Sequence, residues 1–275
     1  MNPHAQAPAS WSGLWAALWG HRQLIRKMAY REIVGRYQGS IMGLLWSLLN
    51  PILMLAVYTF VFSVVFQARW GGVQESKGQF AMVLFAGLIV HGLFAEVLNR
   101  APQLVLGNAN YVKKVVFPLE ILPVVALVAA GFHALISVCV LLGGLWIVHG
   151  SIPVTALLLP LVIIPFLLLT LGIAWFLASL GVFVRDMGQI IVFLTTVLLF
   201  VSPVFFPLHA LPAAVRPWVQ LNPLTPVIEQ VRAVVVWGQL PDVGILAALF
   251  AAGLLVAWAG FAWFQKTRQG FADVL

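Results

Sequence analysis

Charge is scarce in this chain. Of its 275 residues, 8% are charged and 62% are hydrophobic, whereas soluble domains carry about 25% charged residues. So few charges cannot cover a surface that faces water, and the lipid bilayer is therefore expected to be the solvent for most of the chain. The length suggests one integral membrane unit over residues 1–275, without an attached soluble domain.

Catalytic and metal-binding patterns are also missing. Cys139 is the only cysteine, so it can form no internal disulfide, has no metal-ligand spacing, and is expected to be a small buried hydrophobe. No Lys follows a Gly, which excludes a P-loop, and H-E-x-x-H, G-x-S-x-G and clustered carboxylates are absent. The chain is therefore expected to be no enzyme, and no catalytic residue, metal ligand or cofactor is assigned to it.

The positive charge, formally +7, is spread along the chain. Basic residues flank apolar runs and form no patch with interleaved aromatic residues, which excludes nucleic acid as a partner. The apolar runs predict an all-α integral membrane protein with six transmembrane helices. Their approximate bounds are 41–66, 80–98, 121–148, 154–184, 189–206 and 243–264.

The loop charges predict the orientation of these spans. With both termini in the cytoplasm, eleven Lys and Arg residues lie in inner segments and four lie in outer ones. The outer four are Arg69, Lys77, Arg216 and Arg232. Because cytoplasmic loops carry an excess of basic residues, this orientation is preferred.

The N-terminal segment 10–30 has the pattern of an interfacial helix. Trp11, Trp15 and Trp19, with Leu14 and Leu18, recur on one face at helical spacing, and basic residues follow them. A signal peptide has the reverse order, with its basic residues first. We therefore expect an amphipathic helix that lies flat on the membrane, with rings among the headgroups and basic residues toward anionic lipid.

Segment 207–242 is not typical of a simple loop. It holds six prolines and two short apolar pieces, 213–221 and 227–236, and neither piece is long enough to cross a bilayer. We expect two short helices that form a re-entrant hairpin from the outer side, where surrounding protein satisfies their backbone. The alternative is an external loop on the membrane surface.

The inner segment 107–118 mixes Asn, paired Lys and apolar residues. Asn108 or Asn110 could cap a short helix that Pro118 ends. A short amphipathic helix here suits docking to a partner. The alternative is a solvated loop whose lysines, Lys113 and Lys114, only set the topology.

Few ionisable residues lie inside the predicted spans. Glu96 and Arg100 stand four residues apart near the inner end of the second span, which suits a local ion pair. His91 and His133 are single imidazoles in apolar helices, and each is expected to make an interhelical hydrogen bond rather than to relay protons. A functional role is the alternative for all of them, because intramembrane ionisable groups often mark functional sites.

Two spans carry polar and aromatic residues along one helical face. In the first span these are Ser47, Asn50, Met54, Tyr58 and Phe62, and in the fifth they are Gln189, Phe193, Thr196 and Phe200. Such faces suit a sugar chain, because rings stack on the apolar faces of pyranoses while polar groups exchange hydrogen bonds. The alternative is ordinary helix packing through small and polar residues.

Three segments carry the more distinctive motifs. They are R-E-I-V-G-R-Y-Q-G-S-I-M-G-L-L-W-S-L-L-N-P (31–51), N-A-N-Y-V-K-K-V-V-F-P-L-E-I-L-P (108–123) and L-N-P-L-T-P-V-I-E-Q-V-R (221–232). With these motifs the chain resembles the permease subunit of ABC-2-type polysaccharide exporters, over nearly its whole length and in order. That family moves lipid-linked O-antigen, capsule or teichoic acid chains, which implies a multi-pass protein of the bacterial inner membrane.

The resemblance also implies partners and roles. It implies a homodimer of this subunit with two copies of a separate ATPase, which binds ATP and Mg. The residues implied near the ATPase are Asn108, Asn110, Tyr111, Lys113 and Lys114. The two polar and aromatic faces would line a channel in the dimer, and the hairpin would form an outer gate with Trp218, Asn222, Pro223, Pro226 and Glu229.

The substrate that the resemblance implies is a long glycan on polyprenyl pyrophosphate. Arginine forks suit its diphosphate oxygens, and the nearest basic cluster consists of Arg22, Arg26, Lys27, Arg31 and Arg36. Anchoring to anionic membrane lipid is the alternative role for these residues. Two other functions stay open: a permease of the same architecture that exports a small molecule such as a drug or haem, and a membrane enzyme that acts on lipid-linked sugars.

Overall fold

The computed structural model describes residues 10–65, 70, 77–110 and 117–275, and every regular element in these ranges is helical. The helices are α1 (Trp11–Gly20), α2 (Arg22–Tyr37), α3 (Leu45–Tyr58), α4 (Lys77–Arg100), α5 (Leu122–His149), α6 (Leu159–Phe183), α7 (Met187–Val201), α8 (Arg216–Leu221), α9 (Leu224–Val235), α10 (Val243–Thr267) and α11 (Phe271–Val274). A π-helical segment, Thr59–Val65, continues α3. The expectation of an all-helical chain is confirmed for these residues.

Five helical stretches are long and apolar enough to cross a membrane: Leu45–Phe62, Gly78–Gln103, Leu119–His149, Val154–Phe183 and Val243–Val274. They coincide with five of the six predicted spans. The remaining one, the fifth predicted span over 189–206, corresponds to α7, which has 15 residues. At ~1.5 Å per residue α7 is about 22 Å long, which is shorter than the ~30 Å hydrocarbon core. Helix α7 ends at Val201 because Ser202 precedes Pro203, and the residue before a proline disfavours helical geometry.

The predicted interfacial helix is divided in two at His21, which has non-helical geometry. Ser10 caps α1 by accepting a hydrogen bond from the Gly13 N–H at 3.1 Å. The Trp and Leu side chains, predicted on one face, lie on different sides of α1. The three rings of Trp11, Trp15 and Trp19 are exposed, while Leu14 and Leu18 pack toward the core.

Helix α2 is fixed to α5 rather than free on a membrane surface. Ile25 and Ala29 of α2 are buried against Ile121 and Val125 at the start of α5. We refer to this end of the bundle, where α2, the C-terminal end of α4 and the N-terminal half of α5 meet, as the α2 end. It is the end at which the charged residues described below lie.

Helices α6 and α10 form the tightest helix pair. A Cβ atom at Gly172 would lie 2.3 Å from the Val256 main-chain oxygen, and one at Gly260 would lie 2.0 Å from the Gly172 oxygen. Only glycine permits two backbones to approach this closely, as is common between membrane helices. Trp175 and Phe261 fill the space beside this contact, with ring centroids 5.3 Å apart.

The 207–242 segment contains the two expected short helices, α8 and α9. Nine of the twelve residues of α9 are buried, against α4, α6 and the 3₁₀ turn Val154–Leu158. The Thr155 hydroxyl of this turn donates to the Val234 carbonyl at 2.6 Å. This burial is unlike that of a loop lying on an outer surface.

Cys139 was expected to be buried but is exposed on α5. It lies two residues before the buried Leu141, which places it about 200° around the helix, on the opposite face. Since a thiol behaves as a small hydrophobe, it can lie on an apolar, exposed helix face.

Candidate functional site

A cavity of about 410 Å³ lies between α2, α3, α4 and α5. We call it the polar cavity after the side chains that line it: Arg36, Tyr37, Ser47, Asn50, Met54, Tyr58, His91, Glu96, His133 and Ser137. Helix α3 supplies one wall, and the charged groups come from the three helices that meet at the α2 end. A membrane-embedded cavity with this many polar groups is suited to a ligand that carries both charge and hydroxyl groups.

Four of the five residues predicted for the first-span face line the polar cavity: Ser47, Asn50, Met54 and Tyr58. The Ser47 hydroxyl is engaged, because it donates to the Leu44 carbonyl at 2.7 Å. Asn50 and Met54 are exposed. The predicted helical face is therefore a real surface of a cavity and not only a packing seam.

The fifth residue, Phe62, belongs to a row of four rings that leaves the cavity. Tyr58 lies 6.3 Å from Phe62, Phe62 stacks on Phe205 at 5.4 Å, and Phe205 stacks on Phe200 at 5.7 Å between ring centroids. We call these four residues the aromatic row. It connects the two predicted faces, since Tyr58 and Phe62 belong to the first and Phe200 to the second.

Phe205 was not among the predicted site residues. The predicted span ran through to residue 206 as one helix, and helical spacing puts Phe205 off the face that carries Phe200. Because α7 ends at Val201, the chain turns and brings the Phe205 ring back onto Phe200. The two prolines at 203 and 207 were the signal that could have indicated this turn.

The residues predicted for the fifth-span face do not line the polar cavity. All four, Gln189, Phe193, Thr196 and Phe200, are exposed on the outside of the protomer. The cavity receives only Leu199 from α7. A channel with both faces as its walls is therefore not enclosed within one protomer.

Glu96 pairs with a different arginine from the one expected. The predicted local pair with Arg100 is wrong: Arg36 Nη1 lies 2.5 Å from Glu96 Oε1, and Arg100 pairs with Glu32 of α2. Both ion pairs therefore join α2 to α4. The partner of Glu96 is thus a residue 60 positions away in the chain rather than the neighbour four positions away. The reason is that α2 packs across the end of α4, which sequence spacing alone does not show.

Both histidines make the interhelical contacts expected of them. His133 Nδ1 of α5 lies 3.0 Å from Glu96 Oε1 of α4. His91 Nε2 lies 2.9 Å from the Thr195 carbonyl of α7, and the Thr195 hydroxyl donates to Asn99 Oδ1 at 2.9 Å. These bonds tie α4 to α5 at the charged end of the cavity and to α7 beside it.

Of the five basic residues predicted to receive a diphosphate, the structure brings only Arg36 to the cavity. Arg22, Arg26, Lys27 and Arg31 are exposed along α2, and Arg22 lies over the Trp19 ring at 5.0 Å from its centroid. Next to Arg36, burial raises the pKa of Tyr37 above its ordinary value, and Arg36 opposes this in part. The Tyr37 phenol therefore stays protonated at neutral pH and can donate a hydrogen bond.

Arg232 is a second functional candidate that the sequence reasoning missed. The loop-charge argument counted it among the outer basic residues, but the structure shows its side chain fully buried on α9. Its Nε donates to the Val83 carbonyl at 3.0 Å, Nη1 to the Pro203 carbonyl at 2.6 Å and Nη2 to the Val204 carbonyl at 3.1 Å. One side chain thus joins α9 to α4 and to the chain just after α7.

The surroundings of Arg232 are shaped to hold it. Its Nη1 also donates to Glu229 Oε1 at 2.9 Å, and its guanidinium lies over the Trp70 ring at 4.2 Å. A Cβ atom at Gly87 would lie 2.9 Å from Nη2, so glycine is needed there. The spacing of Glu229 and Arg232, three residues apart in one short apolar piece, was the signal in the sequence that could have indicated a paired arginine here.

The residues predicted for the outer gate differ in burial. Asn222 is buried and donates to the Ser202 hydroxyl at 2.8 Å, while Trp218 and Pro223 are exposed and Pro226 is half-buried. Glu229 lines a second cavity of about 430 Å³. The other lining residues of that cavity include Gln230, Trp237, Gln239 and Asp242.

The segment predicted to dock a partner is described only in part. The Asn108 side chain donates to the Leu104 carbonyl at 2.8 Å, and Asn110 is exposed. Tyr111, Lys113 and Lys114 lie outside the described residues.

Just beyond that segment, the chain is anchored by a partly buried ion pair to Arg268, the residue that directly follows α10. Arg268 Nη1 donates to the buried carboxylate of Glu120 at 2.8 Å, and Nη2 donates to the Phe117 carbonyl at 2.9 Å. The Trp175 indole N–H also donates to the Glu120 carbonyl at 2.8 Å. The segment's C-terminal end is thereby held on α6 and α10.

The family profile described as ABC-2 type transporter matches residues 23–236, a stretch that holds the polar cavity, the aromatic row and Arg232. The chain belongs to this family. It is therefore a multi-pass membrane subunit of a transporter rather than an enzyme, and the ATPase of such a transporter is a separate component.

Individual relatives narrow the comparison. The chain is 29% identical over 259 residues to the O-antigen export system permease protein RfbA of Myxococcus xanthus, covering 93% of this chain and 96% of the relative. It is 26% identical over 247 residues to RfbA of Klebsiella pneumoniae, covering 89% and 92%. It is also 24% identical over 249 residues to the polysialic acid transport protein KpsM of Escherichia coli, covering 89% and 93%.

Proposed function

We propose that this chain is the channel-forming permease of an ATP-driven exporter that moves lipid-linked polysaccharide, an O-antigen-like glycan on polyprenyl pyrophosphate, across the bacterial inner membrane. The observation that carries the proposal is the polar cavity together with the aromatic row, which begins at Tyr58 in the cavity wall. The relatives named for O-antigen export and polysialic acid transport support it.

The chemistry of this surface fits a sugar chain. Rings in the aromatic row can stack on the apolar faces of pyranoses, and Asn50, Tyr58 and Ser137 in the cavity offer hydrogen bonds to sugar hydroxyls. Stacking is tolerant of the particular sugar and leaves the chain free to slide from ring to ring. These are the properties required for a polymer that passes through rather than stays bound.

A homodimer completes the path. The amides of Asn50 and Gln189 and the Phe193 and Phe200 rings are exposed on the faces of α3 and α7. Amide groups that face lipid are costly, because the hydrocarbon core offers them no hydrogen bonds. A second copy placed against these faces would enclose them around a water-filled channel, with the four members of each aromatic row along its walls.

The proposed topology has six spans with both termini in the cytoplasm. Helix α7 and the turn that follows it form the fifth span, and α8 and α9 form a re-entrant hairpin from the outer side. The burial of α9 among α4, α6 and the Val154–Leu158 turn supports this position, since its backbone and Arg232 are satisfied by protein. The hairpin would act as the outer gate.

Two copies of an ABC ATPase, holding ATP and Mg, would supply the energy. They would dock near residues 107–118, with Asn108 and Asn110 at the start of the docking element. The Glu120–Arg268 pair fixes the end of this element to α10, so that a movement of the ATPase is passed to the spans and is not absorbed by a flexible connection.

The test is purification of the chain in mild detergent followed by reconstitution with its co-eluting ATPase. We expect ATP hydrolysis to change when lipid-linked glycan is added, and surface polysaccharide to be lost when the gene is deleted. Intact surface polysaccharide in the deletion strain would contradict the proposal and would favour export of a small molecule. Glycan-directed activity of the purified chain alone would favour a membrane enzyme.

A further inference from the structure

The α2 end of the polar cavity holds balanced charges rather than an excess of positive charge. The ionisable groups that line it are Arg36, Tyr37, Glu96 and His133, contributed by α2, α4 and α5. The positive charge of Arg36 is offset by the negative charge of Glu96. A diphosphate therefore finds no free cation among these groups while Arg36 stays paired with Glu96 at 2.5 Å.

The two partners of this ion pair differ in their freedom to move. The Arg36 side chain is 52% exposed and the Glu96 side chain is 19% exposed. Arginine has a long flexible stem and a planar fork that binds phosphate oxygens through two parallel hydrogen bonds. Arg36 can therefore turn toward a ligand in the cavity, whereas Glu96 stays within the helix bundle.

Glu96 keeps a hydrogen-bond partner when Arg36 leaves. His133 Nδ1 lies 3.0 Å from Glu96 Oε1 and 2.9 Å from Arg36 Nη1, and it can bond to only one of them at a time. His133 Nε2 is buried with no hydrogen-bond partner among the described residues. Since an unbonded buried N–H costs more than an unbonded lone pair, the proton belongs on Nδ1, which then donates to Glu96.

We propose that Glu96 is a positioning residue that holds Arg36 until substrate arrives, and that the diphosphate of the lipid carrier replaces Glu96 as the partner of Arg36. The exchange rests on the proposed function, because it takes a lipid diphosphate as the ligand. One arginine side chain moves, and His133 retains the Glu96 carboxylate. Anions that bind Arg36 too weakly to displace the Glu96 carboxylate are excluded from the cavity. The exchange therefore selects for the diphosphate end of the carrier.

The neighbouring ion pair provides a matched control. Glu32 and Arg100 also join α2 to α4, but neither residue lines the cavity. A change at Glu32 therefore alters the same helix contact without freeing a cation toward the ligand. Any effect that arises only from loosening α2 will appear in both variants, and an effect of exchange will appear only at Glu96.

The experiment uses the complex of this chain with its ATPase in lipid nanodiscs and measures ATP hydrolysis against the mole fraction of undecaprenyl diphosphate, without any glycan. In the wild type, Arg36 is free to bind the diphosphate only in the fraction of molecules in which it is not paired with Glu96, and the apparent affinity for the carrier is reduced by that fraction. Glu96→Gln removes this competition and should lower the half-maximal carrier fraction by about three- to tenfold. Arg36→Gln should raise it by at least about tenfold, and the double variant should match Arg36→Gln. Glu32→Gln should stay within about twofold of the wild type.

A half-maximal fraction that is unchanged or raised in Glu96→Gln, while the wild type responds to the carrier, would overturn the exchange and leave the proposed function standing. If Glu96→Gln does not assemble, Glu96→Asp serves in its place, because its shorter side chain weakens the pair with Arg36 while keeping the charge, and its half-maximal fraction should also fall. A wild-type complex that responds neither to the carrier nor to carrier-linked glycan would overturn the proposed function, and the exchange with it.

Discussion

Replacing Arg232 by methionine should be the most damaging single change in the α8–α9 segment. Methionine is long and apolar, so Arg232→Met keeps most of the side-chain volume and removes only the polar contacts. The main-chain oxygens of Val83, Pro203 and Val204 each lose a bond from the guanidinium. Val83 lies inside α4 and keeps its intrahelical bond, whereas the Pro203 and Val204 oxygens follow the end of α7 and are left without this donor. Glu229 is 37% exposed, so its carboxylate can be hydrated and contributes little to the loss.

The size of the effect follows from the two oxygens that are left without a donor, those of Pro203 and Val204. A buried acceptor that loses its partner costs about 1–3 kcal/mol, which gives roughly 2–6 kcal/mol for two before the structure relaxes. Removing one member of a buried charged cluster costs about 3–5 kcal/mol in measured cases. We expect Arg232→Met to lower the free energy of unfolding by about 3–5 kcal/mol, which lowers the unfolding midpoint by roughly 6–20 °C at 2–4 °C per kcal/mol.

The assay is thermal unfolding of the purified chain in detergent, with Arg216→Met as the matched control. Arg216 lies at the start of α8 and donates to the His209 and Leu211 carbonyls at 3.3 and 3.2 Å, near solvent rather than in the core. We expect it to lose less than about 1 kcal/mol. A midpoint of Arg232→Met within about 2 °C of Arg216→Met would refute the reasoning, because it would mean that the two carbonyls do not depend on the guanidinium.

Three further changes test the remaining parts of the site. Phe205→Ala should lower export by interrupting the aromatic row, while membrane abundance stays near that of the wild type. Phe176→Ala, which changes a pair of rings away from the row, is the control. Equal export by both variants would contradict the role of the row. Glu120→Gln should weaken the hold of Arg268 on the docking segment and lower ATP hydrolysis stimulated by substrate more than the basal rate, which a ratio of the two rates measures. Gly260→Leu should prevent the approach of α6 to α10 and abolish accumulation of the folded chain on size-exclusion chromatography, whereas full accumulation would show that the two backbones can separate.

The helices could be predicted because they depend on local composition. Long apolar runs bounded by charge or proline predict a span wherever they occur, and the five spans found in the structure begin within about four residues of their predicted starts. The second and the last of the predicted spans end five and ten residues too early. The fifth predicted span, over 189–206, was predicted too long because Pro203 interrupts a run that is apolar on both sides. The helical face through Ser47 and Tyr58 could also be predicted, since helical spacing places these residues together whatever the tertiary structure is.

The pairings could not be predicted, because they depend on how helices far apart in the chain meet. Glu96 has Arg100 as a neighbour in sequence and Arg36 as its partner in space. A basic residue outside a predicted span was counted as a loop charge, but the sequence gives its charge and not its burial. The burial of Arg232 could therefore not be predicted, because its guanidinium is satisfied by carbonyls that become available only where α7 ends.

The two ends of the polar cavity differ in chemistry, and this difference argues for a fixed direction of loading. Arg36 and Glu96 lie at the α2 end, whereas Tyr58 leads into the aromatic row. A diphosphate placed against the rings would lose its hydration and gain no charged partner, while a neutral sugar at the charged end would have to compete with an ion pair. For the proposed substrate, the favourable register therefore puts the diphosphate at the α2 end and the sugars along the row. Under this proposal the permease itself would fix the register, and the ATPase would only have to advance a chain whose orientation is already determined.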